Sequence, residues 1–446
     1  MGIRTGQNVG RDGRTIADMP DYLHPRDEIL QAMERIYRYR MTTTSGGNLS
    51  IREPNGDVWI TPARLDKGAL RREDIVRVRP DGGVDGNGRP SSELPLHQEI
   101  RRRRPELAGI VHAHPVALVA FSLVHRVPET RLFHQSRHVC GEGGFAPYEL
   151  PGSAALGDSV AAVFERGYNC VILENHGVVT AGLTFQEAFR RFETFEFTAK
   201  TIIKASMLGD VRSLTDDQIS LERRRTASTD EFEHDAPTSE EAELRRTLAL
   251  FVHRAYRQRL FISTQGTYSA RLDERSFVIT PAEMDRGTLG AGDLVLVRDG
   301  RHEAGKAPSR AAGLHQAIYR QHPQVGAIVN AYPVNATAFS VTGAELDTRT
   351  IPESYVVVRE VGRAPFGLQF DRREELARRL SPRQPAMILE NDGVLVTGST
   401  VLEAFDRLEV LESTAEAIIN CRTVGSLKPL SADVTRELDE AFFGKG

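Results

Sequence analysis

Three histidines and one glutamate in the first half of the chain have the residue types and the spacing to hold a metal ion. In GIVHAHPV, His112 and His114 stand two apart in a β-branched, strand-like run, so both side chains leave one face. Two imidazoles on one face can grip a single divalent ion. Further on, His176 in LENHG sits at a strand end before a glycine, where a turn can aim it inward. Upstream, Glu93 in RPSSELPLH opens a helix beginning near Pro95. Three imidazoles and a carboxylate make a zinc-type shell with a place left for substrate oxygens. An HxH in a strand is also ordinary polar placement, and Asn-His-Gly is good turn chemistry. Taken singly, these residues leave both readings open. His97, His125, His134 and His138 read as surface or hydrogen-bonded residues, and the arginine run 101–104 as a solvated helix face.

A second group lies beside the first. SGGNLS (45–50) is a glycine-rich turn containing Asn48, and RPSSE supplies Ser91 and Ser92. Glycine amides, an amide side chain and two hydroxyls suit a phosphate or another anion without many positive charges. Alone, SGGNLS reads equally well as a plain β-turn.

The elements that must carry these residues are short strands and longer amphipathic helices. VWITP, IVRVR, GIVHAHP and CVILENHGVVTAG have the β-branched alternation of strands. Helical periodicity runs through 27–41, 95–105 and 184–208. Helices alternate with strand pairs rather than single strands, which predicts an α/β (α+β) layered domain with much antiparallel sheet. No GxGxxG follows a first strand, so a dinucleotide-binding fold has little support.

The same order of elements then recurs. VWITPARLDKGALRREDIVRV (58–78) matches FVITPAEMDRGTLGAGDLVLV (277–297), and GIVHAHPVALVAFSLV (109–124) matches AIVNAYPVNATAFSVT (327–342). VILENHGVVTAG (171–182) matches MILENDGVLVTG (387–398), and the helices after them match as well. The offset drifts only from 219 to 216 residues, the mark of a tandem duplication rather than a solenoid. Residues 209–242 between the copies are charged and rich in Ser and Thr, a linker or surface strap. The expected domains are 1–215 with the intact site, a linker at 216–240, and 241–446.

The second copy is a built-in comparison. Where the first has Glu93, His112, His114 and His176, it has Ala311, Asn330, Tyr332 and Asp392, inside a retained Ile-Val-x-Ala-x-Pro and Leu-Glu-Asn-x-Gly framework. Residues that merely held the fold would not all change together. The divergence picks out one constellation with one function, kept in the first copy.

GGNLS, ITPA, PSSE, HAHP and ENHG, in this order, resemble the class II aldolase/adducin family, of the L-fuculose phosphate aldolase type. Spacings agree too, with 19 residues from Glu93 to His112 and 64 from His112 to His176. The resemblance spans about 25–208 strongly and 243–420 in degraded form. It implies a three-layer α/β/α sandwich around a mainly antiparallel sheet, in two tandem copies. It implies a Zn2+, or another divalent cation such as Mn2+, on His112, His114 and His176. Glu93 would ligate the resting metal and then act as general acid/base, and Asn48, Ser91 and Ser92 would hold a substrate phosphate. The implied reaction is lyase cleavage of a small hydroxylated carbonyl compound, a sugar phosphate, through a metal-stabilised enediolate. Decarboxylation or epimerisation, of a keto acid for example, are the alternatives on the same scaffold, and an adducin-like scaffold without catalysis is the third.

Two departures stand out. The family's TP[ST]G segment reads Thr61-Pro62-Ala63-Arg64, where Arg64 either binds an anion directly through its fork or narrows the site against the usual phosphate. The position of the reference aldolase's proton-donating tyrosine falls on Phe133, so that donor is either missing or replaced by His134 beside it. Family members form fourfold rings, so two tandem chains are expected to pair as a homodimer forming a pseudo-fourfold ring. Tyr355 or Glu353 of a degenerate copy could then be lent to the metal site.

Composition closes off other classes. Lys+Arg 57 against Asp+Glu 61 leaves a net charge of -4, with no basic field for nucleic acid or a membrane surface. No apolar run approaches the length of a membrane span, and the polar N-terminus has no signal-peptide core or myristoylation serine. Cys140, Cys170 and Cys421 form no CxxC, which points to a reducing cytoplasm.

Overall fold

The computed structural model describes residues 23–223 and 230–444. The N-terminal stretch read above for targeting signals and part of the expected linker lie outside the described residues.

The first helix, Pro25–Arg38, shows why the periodic segments fold as they do. Proline begins it, where its missing N–H costs nothing, and the His24 ring accepts from the Arg26 amide. Asp27 and Glu28 sit in its first turn and Arg35 and Arg38 in its last, matching the helix dipole. Ile29, Ala32, Met33 and Ile36, three or four apart, are buried. The other expected long helices form over Leu94–Arg103 and Phe185–Ser206.

Among the described residues the first sheet has eight strands: β1 (Asn48–Arg52), β2 (Val58–Ile60), β3 (Val76–Val78), β4 (Val84–Asp85), β5 (Gly109–Ala113), β6 (Gly143–Ala146), β7 (Cys170–Leu173) and β8 (Gly177–Gly182). Its order is β4-β3-β2-β1-β5-β8-β7-β6. The second has nine: β9 (Glu231–Phe232), β10 (Thr267–Arg271), β11 (Ser276–Ile279), β12 (Val295–Arg298), β13 (Arg301–Glu303), β14 (Ala327–Ala331), β15 (Val361–Ala364), β16 (Ala386–Leu389) and β17 (Gly393–Gly398). Its order, β15-β16-β17-β14-β10-β11-β12-β13-β9, is the first order repeated with β9 added at one edge. Most pairings are antiparallel; β15–β16 and β13–β9 are parallel. The mixed α/β architecture in two copies is therefore as the sequence implies. Within 216–240, the described residues form a helix, Asp216–Arg223, and the strand β9, which pairs with β13.

One side of the first sheet is sealed by the helices Leu94–Arg103 and Ala154–Glu165. Leu96, Ile100, Leu156, Val160 and Phe164 pack there on Ile110, Val171, Val179 and Ala181. Ile110 and His112 are two apart on β5 and share that face. The site is thus built where one sheet face meets the start of a helix.

The chain divides into two compact units. One runs to Arg126 and resumes over Gly144–Phe192; the other takes Val127–Gly143 and everything from Glu193. The stretch 127–143 belongs by sequence to the first copy but packs in the second unit. There Asn391 Nδ2 donates to the Leu132 carbonyl at 2.9 Å, and the Leu214 amide to that of Arg131 at 2.8 Å.

Candidate metal centre

Strand register sets the first contacts. In the β1–β5 ladder Asn48 pairs with His112 and Ser50 with Ile110, so Asn48 and Ser50 share the face of His112. The helix Leu94–Arg103 lies over that face and brings Glu93 at its N-cap. The β7–β8 hairpin brings His176. Asn175 takes a left-handed conformation in its turn (φ 52°), as Asn does more readily than most residues. Gly177 follows because a Cβ there would lie 2.6 Å from both the Ala113 carbonyl and the His114 ring.

The three imidazoles converge. Each pair of ring centroids is 4.9 Å apart. One nitrogen from each ring lies within 4.8 Å of the others. The Nδ1–H of His112 donates to the Val178 carbonyl at 3.0 Å, which leaves Nε2 as the nitrogen that faces the cluster and would ligate an ion once it gives up its proton. That atom stands 3.1 Å from His114 Nε2 and 3.2 Å from Glu93 Oε2, while Glu93 Oε1 is 3.7 Å from His176 Nε2. Metal–nitrogen bonds of about 2.0–2.1 Å in a tetrahedron put ligand nitrogens roughly 3.3 Å apart. The donor set fits a divalent cation.

Electrostatics agree with that fit. Burial lowers His114 to about 3, helped by the charges at His112 and His176, and lowers His176 to about 4, helped by His112. Both rings are neutral and offer lone pairs. Burial also opposes charge on His112, yet the Glu93 carboxylate wins and raises it. Burial would raise Glu93, but the charge and hydrogen bond of His112 and the Asn48 amide hold it well below the usual carboxylate range. The cluster is arranged around one shared positive charge.

The other expected residues are placed unevenly. Asn48 is buried, and its Nδ2 donates to Glu93 Oε2 at 2.6 Å, leaving a second N–H for a ligand. Ser91 is buried with its Oγ 3.3 Å from the Glu93 amide, and Ser92 is exposed. The loop bearing Arg64 runs beside them, because the Ser91 amide bonds the Thr61 carbonyl and Ala63 that of Arg89. Arg64 itself is exposed in a left-handed turn (φ 58°). Phe133 is buried against Phe197 in the second unit. His134 there lies 3.2 Å from Asp392. Tyr355 donates to Asp439, and Glu353 is exposed.

Two residues that the sequence did not assign to the site sit behind Glu93. His97 is fully buried between Ser50 and Asn48, and Arg101 is buried against Ser50. The expected solvated arginine face therefore fails at its first member. The signal was present: Glu93, His97 and Arg101 recur every four residues, one stripe of a helix.

A further His–Glu–Glu group, His234, Glu241 and Glu303, could also be drawn around an ion. Its carboxylates are already neutralised by Arg245, which reaches both, and by Lys306 on Glu303. It is an ion-pair network.

The family model for the class II aldolase and adducin N-terminal domain matches the chain twice, over residues 27–203 and 246–419. An L-fuculose phosphate aldolase of Methanococcus vannielii is 33% identical over 178 residues, 39% of this chain and 92% of that protein. A 3-oxo-tetronate 4-phosphate decarboxylase of Pectobacterium atrosepticum is 31% identical over 212 residues, 46% of this chain and 95% of its own. Among solved structures, an L-fuculose 1-phosphate aldolase is 25% identical, covering 45% of this chain and 95% of its own, with a TM-score of 0.41.

Proposed function

Since the chain belongs to the class II aldolase and adducin family, we propose that its first copy is a divalent-metal-dependent lyase that cleaves a small hydroxylated carbonyl compound bearing a phosphate. The observation that carries this is the convergence of His112, His114 and His176 beside Glu93, with Ala311, Asn330, Tyr332 and Asp392 at the matching positions. We assign the ion as Zn2+ or a similar cation such as Mn2+. When bound, it supplies positive charge opposite the oxygens on which negative charge builds as the bond beside a carbonyl breaks.

The chain's own residues do the rest. His112 is fixed by the Val178 carbonyl so that Nε2 faces inward. Glu93, poised between His112 and the Asn48 amide, takes and returns the proton at its carboxylate. The second N–H of Asn48, the Ser91 and Ser92 hydroxyls and Arg64 receive the phosphate. We assign the second copy a structural role, the chain a homodimer forming a four-domain ring, and the site of action the cytoplasm. The free cysteines Cys140, Cys170 and Cys421 agree with that compartment.

One observation favours a decarboxylase of this family as the second reading. Aldol cleavage removes a proton from the departing hydroxyl and returns one to the carbon left behind, whereas decarboxylation needs only the second transfer. Phe133 stands where the resembling aldolases have their tyrosine, and His134 is engaged by Asp392. Incubating the metal-loaded chain with ketose phosphates and with phosphorylated β-keto acids separates the readings. An aldehyde plus a smaller ketone phosphate marks the aldolase, carbon dioxide the decarboxylase, and an inverted carbinol the epimerase. A chain that binds no metal and converts neither class contradicts all three and leaves the scaffold.

A further inference from the structure

Behind Glu93 runs an unbroken line of buried polar groups. Arg101 Nη2 lies 2.7 Å from Ser50 Oγ, Ser50 Oγ 2.6 Å from His97 Nδ1, His97 Nε2 2.5 Å from Asn48 Oδ1, and Asn48 Nδ2 2.6 Å from Glu93 Oε2. The two ends fix the direction of every bond. A guanidinium can only donate and a carboxylate can only accept. Asn48 therefore turns its amide nitrogen to Glu93 and its oxygen to His97. That oxygen needs a donor, so His97 carries its proton on Nε2 and accepts at Nδ1 from the Ser50 hydroxyl. Ser50 in turn accepts from Arg101. All four donors point at Glu93, and such chains polarise one another in a low-dielectric interior. Burial keeps the His97 ring neutral, which this single-proton arrangement requires. Burial and the charge of Arg52 lower Arg101 to about 9, so it stays cationic at neutral pH.

The second copy tests the idea internally. It keeps the serine and the histidine, Ser269 Oγ lying 2.7 Å from His315 Nδ1, but Thr267 stands at the place of Asn48, and His315 Nε2 instead meets Oδ1 of Asn330, the counterpart of His112, at 2.7 Å. It has lost both charged ends together. Tyr319 stands in for Arg101, its hydroxyl 2.8 Å from Ser269 Oγ, and Ala311 in for Glu93. A buried guanidinium needed only for folding would have no reason to accompany the carboxylate.

We propose that Arg101, Ser50 and His97 are positioning residues that act through Asn48 to hold the Glu93 carboxylate at the rim of the three-histidine group. This rests on the metal-site reading above. Removing one of them frees the carboxylate to turn away and weakens the ion's hold.

The test is Co2+ binding to the full chain, followed by its visible absorption. Wild type takes up one Co2+, and His112→Ala takes up none. Arg101→Tyr, which installs the partner the second copy already uses, weakens binding on the order of tenfold and changes the absorption band. Ser50→Ala, a smaller cut in the same line, does likewise, while Ser269→Ala at the matching place leaves affinity and band unchanged. Thermal unfolding of the two serine variants shows whether the difference survives equal stability. A wild-type chain that binds no Co2+ overturns the metal-site reading. Normal wild-type binding, with Arg101→Tyr and Ser50→Ala both within twofold of it, overturns the positioning role alone.

Discussion

The two copies share a sheet order and the bends that shape the site, yet their centres solve opposite problems. In the first, three imidazoles and a carboxylate face one another and are left short of protein hydrogen-bond donors. In the second, Ala311 has no polar group and the three polar residues at the matching positions are tied off. His315 bonds Asn330 at 2.7 Å, Tyr332 donates to Asp392 Oδ1 at 3.0 Å, and Gln369 donates to Oδ2 at 3.0 Å. His134 adds its Nε2 to Asp392 at 3.2 Å. Asn391 keeps the left-handed turn of Asn175 (φ 50°), and a Cβ on Gly393 would lie 2.4 Å from the Ala331 carbonyl, as one on Gly177 would crowd Ala113. The backbone that brings the three imidazoles together in the first copy is thus kept in the second, where those residues differ. On the function proposed above, a fold this tolerant at its centre lets one copy carry chemistry while the other closes its polar groups on themselves.

That contrast can be broken most sharply at the ligands. His112→Ala should take metal content from one ion per chain to near zero, read by elemental analysis, whereas Asn330→Ala should leave it unchanged. Equal loss in both would erase the distinction between the copies. Glu93→Gln keeps the shape but cannot take a proton. It should lower turnover by about 10²–10⁴ on the substrate found by product analysis, while Ala311→Gln leaves the rate alone.

The second copy's network should show itself in stability instead. Asp392→Ala removes the buried carboxylate that Tyr332, Gln369 and His134 share, a cost of about 3 kcal/mol in denaturant unfolding. Burial would raise Asp392, but His134, Tyr332 and Gln369 hold it below its ordinary value. Its contribution is therefore present above the unfolded carboxyl's pKa of about 3.9 and is lost as pH falls through the lower folded one. Wild type should lose stability to acid more steeply than the variant below about pH 4. Parallel acid limbs would remove Asp392 from the account. The smallest effect belongs to the exposed matched pair Arg102 and Arg320: replacing either by alanine should shift stability by no more than about 0.5 kcal/mol.

Legibility in the sequence followed locality. His112 and His114 could be placed on one face because a strand alternates sides, and His176 could be turned inward because Asn-His-Gly dictates a tight hairpin. The retained framework around four altered residues marked the site without any geometry. The pairing of β9 with β13 was hidden, because a two-residue strand in a charged segment has no periodicity to read. The packing of 127–143 in the second unit was hidden too, since the bond between His134 and Asp392 joins residues 258 apart. Arg101 misled for a different reason. It belongs to a run of four arginines, and composition alone does not say that the stripe through Glu93 and His97 turns one of them inward.

The account stands on a single ion held by the first copy alone, and X-ray diffraction from zinc-soaked crystals, recorded on both sides of the zinc absorption edge, addresses it most directly. One anomalous peak per chain among His112, His114 and His176, with none beside Asn330, Tyr332 and Asp392, is the predicted map. Peaks in both copies, or density in neither, would contradict it.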